Sequence, residues 1–256
     1  MTRLTPAALP LVAALALLQS PAAHAQERAA GDAKWGLGLG VSVRKSPYEG
    51  VGDKSTVLPL LSYENDWVRL FGTTLDAKLP SAGPVDFSLR AKVALGEGYV
   101  ASDSAALAGM AARDGSIYLG AATTWHAGFA EFSLDYLHDV SGNSQGARLR
   151  LGAEHSFAFA QRFLVTPHAS VTRLDAKHVD YFYGVRPEEA TAARPAYAGK
   201  ATAETELGIR FGLLLAPNQR LLLDLNDTHW GSGVTDSPLV GRSSAPGILL
   251  GYTYTF

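Results

Sequence analysis

Residues 226–233, Asn-Asp-Thr-His-Trp-Gly-Ser-Gly, set an imidazole three residues before a hydroxyl. A serine nucleophile needs a neighbouring base to take its proton, so His229 and Ser232 are the best enzymatic pair in the chain, of the kind a lipid hydrolase uses. Spacing in a loop supplies neither the hydrogen bond between them nor an oxyanion hole. The competing reading is a glycine-rich turn beside an interfacial tryptophan. The other histidines, His126, His138, His155, His168 and His178, fall in no HExxH or other ligand spacing, so no metal and no cofactor is expected. The chain has no cysteine, which excludes disulfides and thiolate chemistry. A net charge of −2 lacks the basic footprint of a nucleic-acid-binding protein.

The remaining charges follow a pattern. In 34–44, Trp35, Leu37, Leu39, Val41 and Val43 alternate with Gly36, Gly38, Gly40, Ser42 and Arg44. In 85–95, Val85, Phe87, Leu89, Ala91 and Val93 alternate with Asp86, Ser88, Arg90 and Lys92. Arg148, Arg150 and Glu154 oppose Leu149 and Leu151, and Glu204, Glu206 and Arg210 oppose Leu207 and Ile209. This period of two marks strands with one apolar and one polar face. Similar segments lie at 55–64, 67–79, 115–125, 128–139, 162–174, 219–227 and 246–256. Many approach the roughly 10 residues that a tilted strand needs to cross a bilayer.

Two architectures bury one face of such strands. A soluble lipocalin-like barrel turns the apolar face inward, and a transmembrane barrel turns it toward lipid. Aromatics at strand ends (Trp35, Tyr63, Trp67, Trp125, Tyr136, Trp230, Tyr252) favour the second, as girdles at the two membrane interfaces. The polar faces then line a lumen that carries Arg90, Lys92, Asp135, Arg148, Arg150, Glu204, Glu206 and Arg210, with Asp135 across from Arg150. Both signs inside suit a lumen filled by paired charges better than the single-sign ring of an open pore. On this reading Leu207→Arg places a cation in lipid, whereas Gly208 faces inward and accepts serine.

Both termini point to the same envelope. Residues 1–25 read as a secretory signal peptide: Arg3, an apolar run from Ala7 to Leu18, and the small-x-small site Ala23-His24-Ala25, so the mature chain starts at Gln26. Residues 26–256 form the barrel domain. The chain ends in an alternating strand with Gly251, Tyr254 and Phe256, which resembles the C-terminal signal read by the bacterial outer-membrane assembly machinery. A strand that closes a barrel in lipid must be paired along its whole length.

Short connections at 157–162, at 216–220 and around Ala127-Gly128 alternate with long polar stretches at 45–54, 96–114, 175–202 and 227–245, as periplasmic turns and extracellular loops do. The alternation fails upstream of 115. Because single-chain barrels have even strand numbers, a further strand is expected within 96–108. The fold class is therefore an all-β antiparallel transmembrane barrel of about 12 strands, with about 10 as the alternative.

Several stretches in order resemble the MipA/OmpV (MltA-interacting protein) family of Gram-negative outer-membrane proteins: "PYEG" at 47–50, "VLPLLSYEND" at 57–66, "LAGMAARDG" at 107–115, "DVSGNSQGARLRL" at 139–151, "DYFYGVRPEEATAARPAYAGK" at 180–200 and "DSPLV" at 236–240. The resemblance implies an outer-membrane barrel without enzymatic activity. Its implied partners are the lipid bilayer, the outer-membrane assembly machinery, a lytic transglycosylase and a bifunctional penicillin-binding protein. Tyr181, Tyr183, Gly184, Val185 and Tyr197 in its most specific stretch read either as a binding loop folded into the barrel mouth or as an interface girdle followed by a turn. Three functions compete: an interaction scaffold tied to murein-processing enzymes, a narrow or gated channel for small polar solutes (or an adhesin), and a lipid hydrolase.

Overall fold

The computed structural model describes residues 33–256. The signal-peptide expectation, with Ala23, Ala25 and Gln26, lies outside the described residues. Seven strands come first: β1 (Lys34–Lys45), β2 (Asp53–Pro59), β3 (Ser62–Glu64), β4 (Val68–Phe71), β5 (Thr74–Ala82), β6 (Val85–Val93) and β7 (Ile117–His126). Seven more follow: β8 (Glu131–Asp139), β9 (Ala147–Glu154), β10 (Phe157–Phe159), β11 (Phe163–Leu174), β12 (Thr202–Ala216), β13 (Gln219–Trp230) and β14 (Ser244–Thr255). β2 and β3 run in line along β1, and β9 and β10 run in line along β11. The fourteen segments therefore make a closed antiparallel barrel of 12 staves. β14 closes it on β1, from Gly36↔Thr255 to Arg44↔Gly247.

Register turns the alternation into two surfaces. Leu37, Leu39 and Val41 stand beside Tyr254, Tyr252 and Leu250 on the outer face, and Leu39 is 64% exposed. Such a surface is stable against acyl chains, and the pairing of β14 with β1 satisfies the backbone along that join. At the end with short turns, Trp35 and Tyr63 pack with ring centroids 4.4 Å apart, and Trp125 stacks on Phe132 at 5.4 Å. Two of the expected girdle residues sit elsewhere. Tyr136 faces outward within β8 rather than at its end. Trp230 turns into the mouth and packs against Leu174, Val179 and Val234.

The twelfth stave is not in 96–108. That stretch forms a loop with two short 3-10 turns, Ala101–Asp103 and Ala105–Leu107. The extra strand comes from the segment expected as one strand at 67–79, which folds back on itself as β4 and β5. Phe71 faces Thr74 across a two-residue turn, and Gly72 there takes a φ of +58°. Tight hairpins need that left-handed geometry, and glycine adopts it without a Cβ clash. β4 and β5 are consequently short at the end with long loops, where Gly72 N–H donates to Leu61 O at 2.8 Å.

The long loops are ordered. They contribute helix α1 (Ala176–Tyr183), the short helix α2 (Ser232–Thr235) and a buried core formed by Tyr48, Val51, Tyr99, Leu107, Met110, Val185 and Leu239. This core draws on four separate loops and sits in the mouth of the barrel.

Candidate functional site

The lumen wall is bound together by ion pairs that cross strands. Asp76 on β5 accepts from Arg69 on β4 at 2.9 Å and from Arg90 on β6 at 2.7 Å. Arg90 reaches further to Asp135 on β8 at 2.8 Å, and Asp135 lies 3.8 Å from Arg150 on β9. Across the lumen, Asp224 meets His168 at 3.0 Å and Arg210 at 3.2 Å, and Arg210 continues to Glu154 at 3.4 Å. Toward the mouth, Arg148 holds Glu97 at 2.6 Å and Glu204 at 3.5 Å, while Arg44 lies 3.6 Å from Glu206. Lys92 also faces inward, opposite Thr74 and Tyr118; among the described residues it makes no hydrogen bond or ion pair, and Glu97 and Asp135 act on it only through space. Of the lumen charges expected from sequence, the structure thus brings all but Lys92 into contact with an opposite charge.

Above this layer the loops form a plug. Tyr48 donates to Phe182 O at 3.1 Å, stacks on Tyr183 at 5.7 Å and meets Tyr99 edge-on at 4.7 Å. Burial pushes its phenol well above the ordinary range, and neighbouring Tyr183 adds to the effect. A buried ion pair clamps two loops together: Arg113 donates to Glu189 Oε2 at 2.9 Å and through Nε to Tyr181 O at 2.8 Å. Burial alone would raise the Glu189 carboxyl. Donors on Ala111 N, Arg113 and Arg186 N outweigh it and hold the group below the usual carboxylate range. Arg194 ties the same loops again, donating to Ala106 O at 2.6 Å and Glu189 O at 2.8 Å.

The aromatic stretch of the loop between β11 and β12 belongs to this plug. Tyr181 lies at 5.7 Å under the Arg113 guanidinium, and its hydroxyl accepts from Asp114 N at 2.9 Å. Gly184 ends α1, its N–H bonded to Asp180 O at 2.9 Å. Val185 is buried and bridges Tyr197, whose hydroxyl donates to Gly233 O at 2.9 Å. An interface girdle would expose these rings to headgroups; here Tyr183 and Tyr197 pack against the buried core and Tyr181 meets Phe182 edge-on.

The structure does not assemble His229 and Ser232. Register places His229 on the outer face opposite Thr205, with Asp227 as its charged neighbour at 3.7 Å, while Ser232 begins α2. Among the described residues no group of three or more histidines, aspartates and glutamates is placed to hold a metal ion. Gly251 faces the lumen between Gly40 and Leu222, and Phe256 is 77% exposed with its N–H on Trp35 O at 2.8 Å and its ring 5.0 Å from Tyr254.

Sequence reasoning missed Asp76, Glu97, Arg113, Glu189 and Arg194. Asp76 was hidden by the unrecognised hairpin. The others sit in loops, where no periodicity relates a residue to a partner 76 positions away.

The sequence profile of the family described as MltA-interacting protein MipA matches residues 37–256. The chain belongs to that family. Similar proteins include the one described as putative outer membrane protein YiaT of Escherichia coli strain K12, 25% identical over 222 residues, with 86% of this chain and 90% of that one covered. Omp26La, an outer membrane protein of Vibrio anguillarum, is 28% identical over 148 residues, covering 58% of this chain and 56% of that one. Among solved structures, OmpT, an outer membrane protein of Vibrio cholerae, superimposes with a TM-score of 0.39 at 8% identity, over 88% of this chain and 97% of that one. This member of the family is an outer-membrane β-barrel.

Proposed function

We propose that the protein is a closed, non-enzymatic barrel that serves as an interaction scaffold for murein-processing enzymes. The observation that carries the closed state is the plug: four loops share one buried core, clamped by Arg113 and Glu189. Below it, charges of both signs are paired across strands rather than ringed as in a pore. The family's name supports a lytic transglycosylase as partner, and the resemblance in sequence adds a bifunctional penicillin-binding protein. The separation of His229 from Ser232 supports a non-enzymatic role. The C-terminal Gly251, Tyr254 and Phe256 are the part read by the assembly machinery.

The test is capture from detergent-solubilised envelopes with the folded barrel as bait. Murein-processing enzymes retained by the barrel, and absent from a control with an unrelated outer-membrane barrel, are the expected result. Equal recovery on both baits contradicts the scaffold. The second reading, a narrow gated channel, is favoured by Lys92, a lumen cation left without an ion pair. It requires the plug to move.

A further inference from the structure

The wall of the barrel has a seam. Leu60 N–H donates to Gly38 O at 3.0 Å, which fixes Gly38 and Leu60 as a hydrogen-bonded pair. Pairs in an antiparallel ladder alternate. Leu58, Thr56 and Lys54 therefore bond to β1, while the backbone N–H groups of Ser55 and Val57 turn the other way. Among the described residues no strand lies on that side. The β4–β5 hairpin stops at Gly72, level with Leu61, and Thr73 O already accepts from Val93 N on β6. Above the hairpin, β2 faces only the loop segment that leaves β6 at Ala94. Lys54 donates to Gly98 O and lies 3.7 Å from Asp103. Among the described residues no backbone hydrogen bond joins 53–58 to 94–98.

The outer side of the seam belongs to the apolar surface of the barrel. Val57 stands beside Val41 on the outer face and is 64% exposed. An open strand edge cannot face acyl chains, because unsatisfied backbone groups there are costly; it is tolerated where it borders a cavity or a polar ligand. Pro59 removes the next donor along this edge, the placement expected of proline on an unpaired strand side.

What lies inside the seam is amphipathic. Leu58 and Phe71 face inward beside it, Leu60 is buried over Gly40 and Gly251, and Leu222 on β13 continues the apolar row beyond Gly251. Phe71 is inward yet 51% exposed, so its ring borders open lumen. At the corner of the seam stands Lys92, one residue before the Val93–Thr73 bond, with Glu97, Asp135, Arg148 and Arg150 around it but no ion-pair contact to any of them among the described residues. An apolar strip that leads to an unpaired cation, behind a wall unsealed at lipid level, fits one kind of ligand.

We infer that the seam between β2 and the 94–98 loop admits a single-chain anionic amphiphile from the outer leaflet, its chain along Leu58 and Phe71 and its head on Lys92. The site depends on the wall and not on the scaffold reading, and failure to capture a murein enzyme leaves it standing.

The chain has no cysteine, so the seam can be locked cleanly. A Cβ at Gly96 would lie 3.7 Å from Thr56 Cβ, within the range of a disulfide, but Gly96 has a φ of +80°, so a cysteine there is strained and the variant counts only once shown to be folded. The experiment measures saturable binding of dodecanoate to the folded full barrel in lipid nanodiscs, with dodecyltrimethylammonium as the cationic control. Wild type binds dodecanoate and not the cation. Lys92→Gln weakens binding about tenfold, the worth of one charge-assisted hydrogen bond, and Lys92→Arg retains it. Oxidised Thr56→Cys/Gly96→Cys loses uptake of membrane-dissolved dodecanoate and recovers it on reduction. Heat-modifiable gel mobility verifies that each variant is folded. No saturable binding, equal binding of the cation, or uptake indifferent to the oxidised lock overturns the site; the last would place entry at the mouth instead.

Discussion

Arg90 on β6 reaches over the whole of β7 to donate to Asp135 on β8 at 2.8 Å. It can do so because β7 places Gly120 and Ala122 under its path, and larger side chains there would block it. The same guanidinium holds Asp76 on β5, so one residue fastens three strands. Removing one member of a buried charge network strands the others. Arg90→Met should therefore cost about 3 kcal/mol of barrel stability, read as the urea midpoint in detergent. Asp76 keeps Arg69 and Asp135 keeps Arg150 at 3.8 Å, which limits the loss. A change below about 0.5 kcal/mol, typical of surface substitutions, would mean the lumen network contributes only solvated pairs.

The plug has its own latch. Glu189→Gln leaves the Arg113 guanidinium buried with its charge uncompensated, a change that costs about 3–5 kcal/mol in comparable sites. The loss falls on the loops and spares the strands. Limited proteolysis should begin to cut within 186–194 while heat-modifiable mobility of the barrel stays unchanged. Continued resistance of these loops would show that Arg194 and the tyrosine cluster hold the plug without the ion pair.

Much of the barrel is legible in the sequence because lipid on one side and charge on the other impose a strict period of two. Leu37 to Val43 and Leu207 to Phe211 could not face otherwise. The β4–β5 hairpin was not legible, since Phe71-Gly72-Thr73-Thr74 carries a weaker turn signal than Asn-Gly or Asp-Gly and the apolar pattern reads across it. Gly208 shows a second limit. Alternation places it inward correctly, but His168 lies over it, and a Cβ there would come 2.5 Å from the His168 Nε2 atom. Gly208→Ser is thus expected to displace His168 from Asp224 rather than to be accepted. The plug was least legible, because Arg113 and Glu189 meet only after two loops fold toward each other.

Stability of the plug should fall with acid in a defined window. His178 in α1 is held neutral by burial, and the nearby Arg148 charge adds to the effect against Asp139; its imidazole is lowered from 6.5 to about 3. In the unfolded loop it protonates near the ordinary value. Between those values the unfolded form binds a proton that the folded form does not, so stability is full above about pH 6.5 and is lost as pH falls, by about 1.4 kcal/mol per pH unit at most. Glu189 begins to contribute only below its ordinary carboxylate range, which leaves pH 7 to 5 to His178. Loop unfolding followed across that interval should steepen with acid in the wild type and flatten in His178→Phe. Equal slopes would remove His178 from the account.

Deleting Phe256 should damage assembly in cells far more than folding in detergent. Its ring is 77% exposed and its backbone bond to Trp35 is one of many along β1 and β14. Burial of one phenylalanine against lipid contributes only about 1.5–3 kcal/mol. Membrane-inserted protein should fall in cells, refolding of the purified chain should change little, and Phe256→Tyr should restore assembly. An equal loss in both settings would make Phe256 an ordinary packing residue.

The closed state itself is open to one direct measurement, the conductance of the purified barrel in planar bilayers at neutral pH. With four loops locked in the mouth and the lumen charges paired, wild-type protein should insert without steady stepwise current, and Glu189→Gln should introduce it. Steady, uniform conductance steps from the wild-type barrel would contradict the plug as a seal and establish the channel reading in its place.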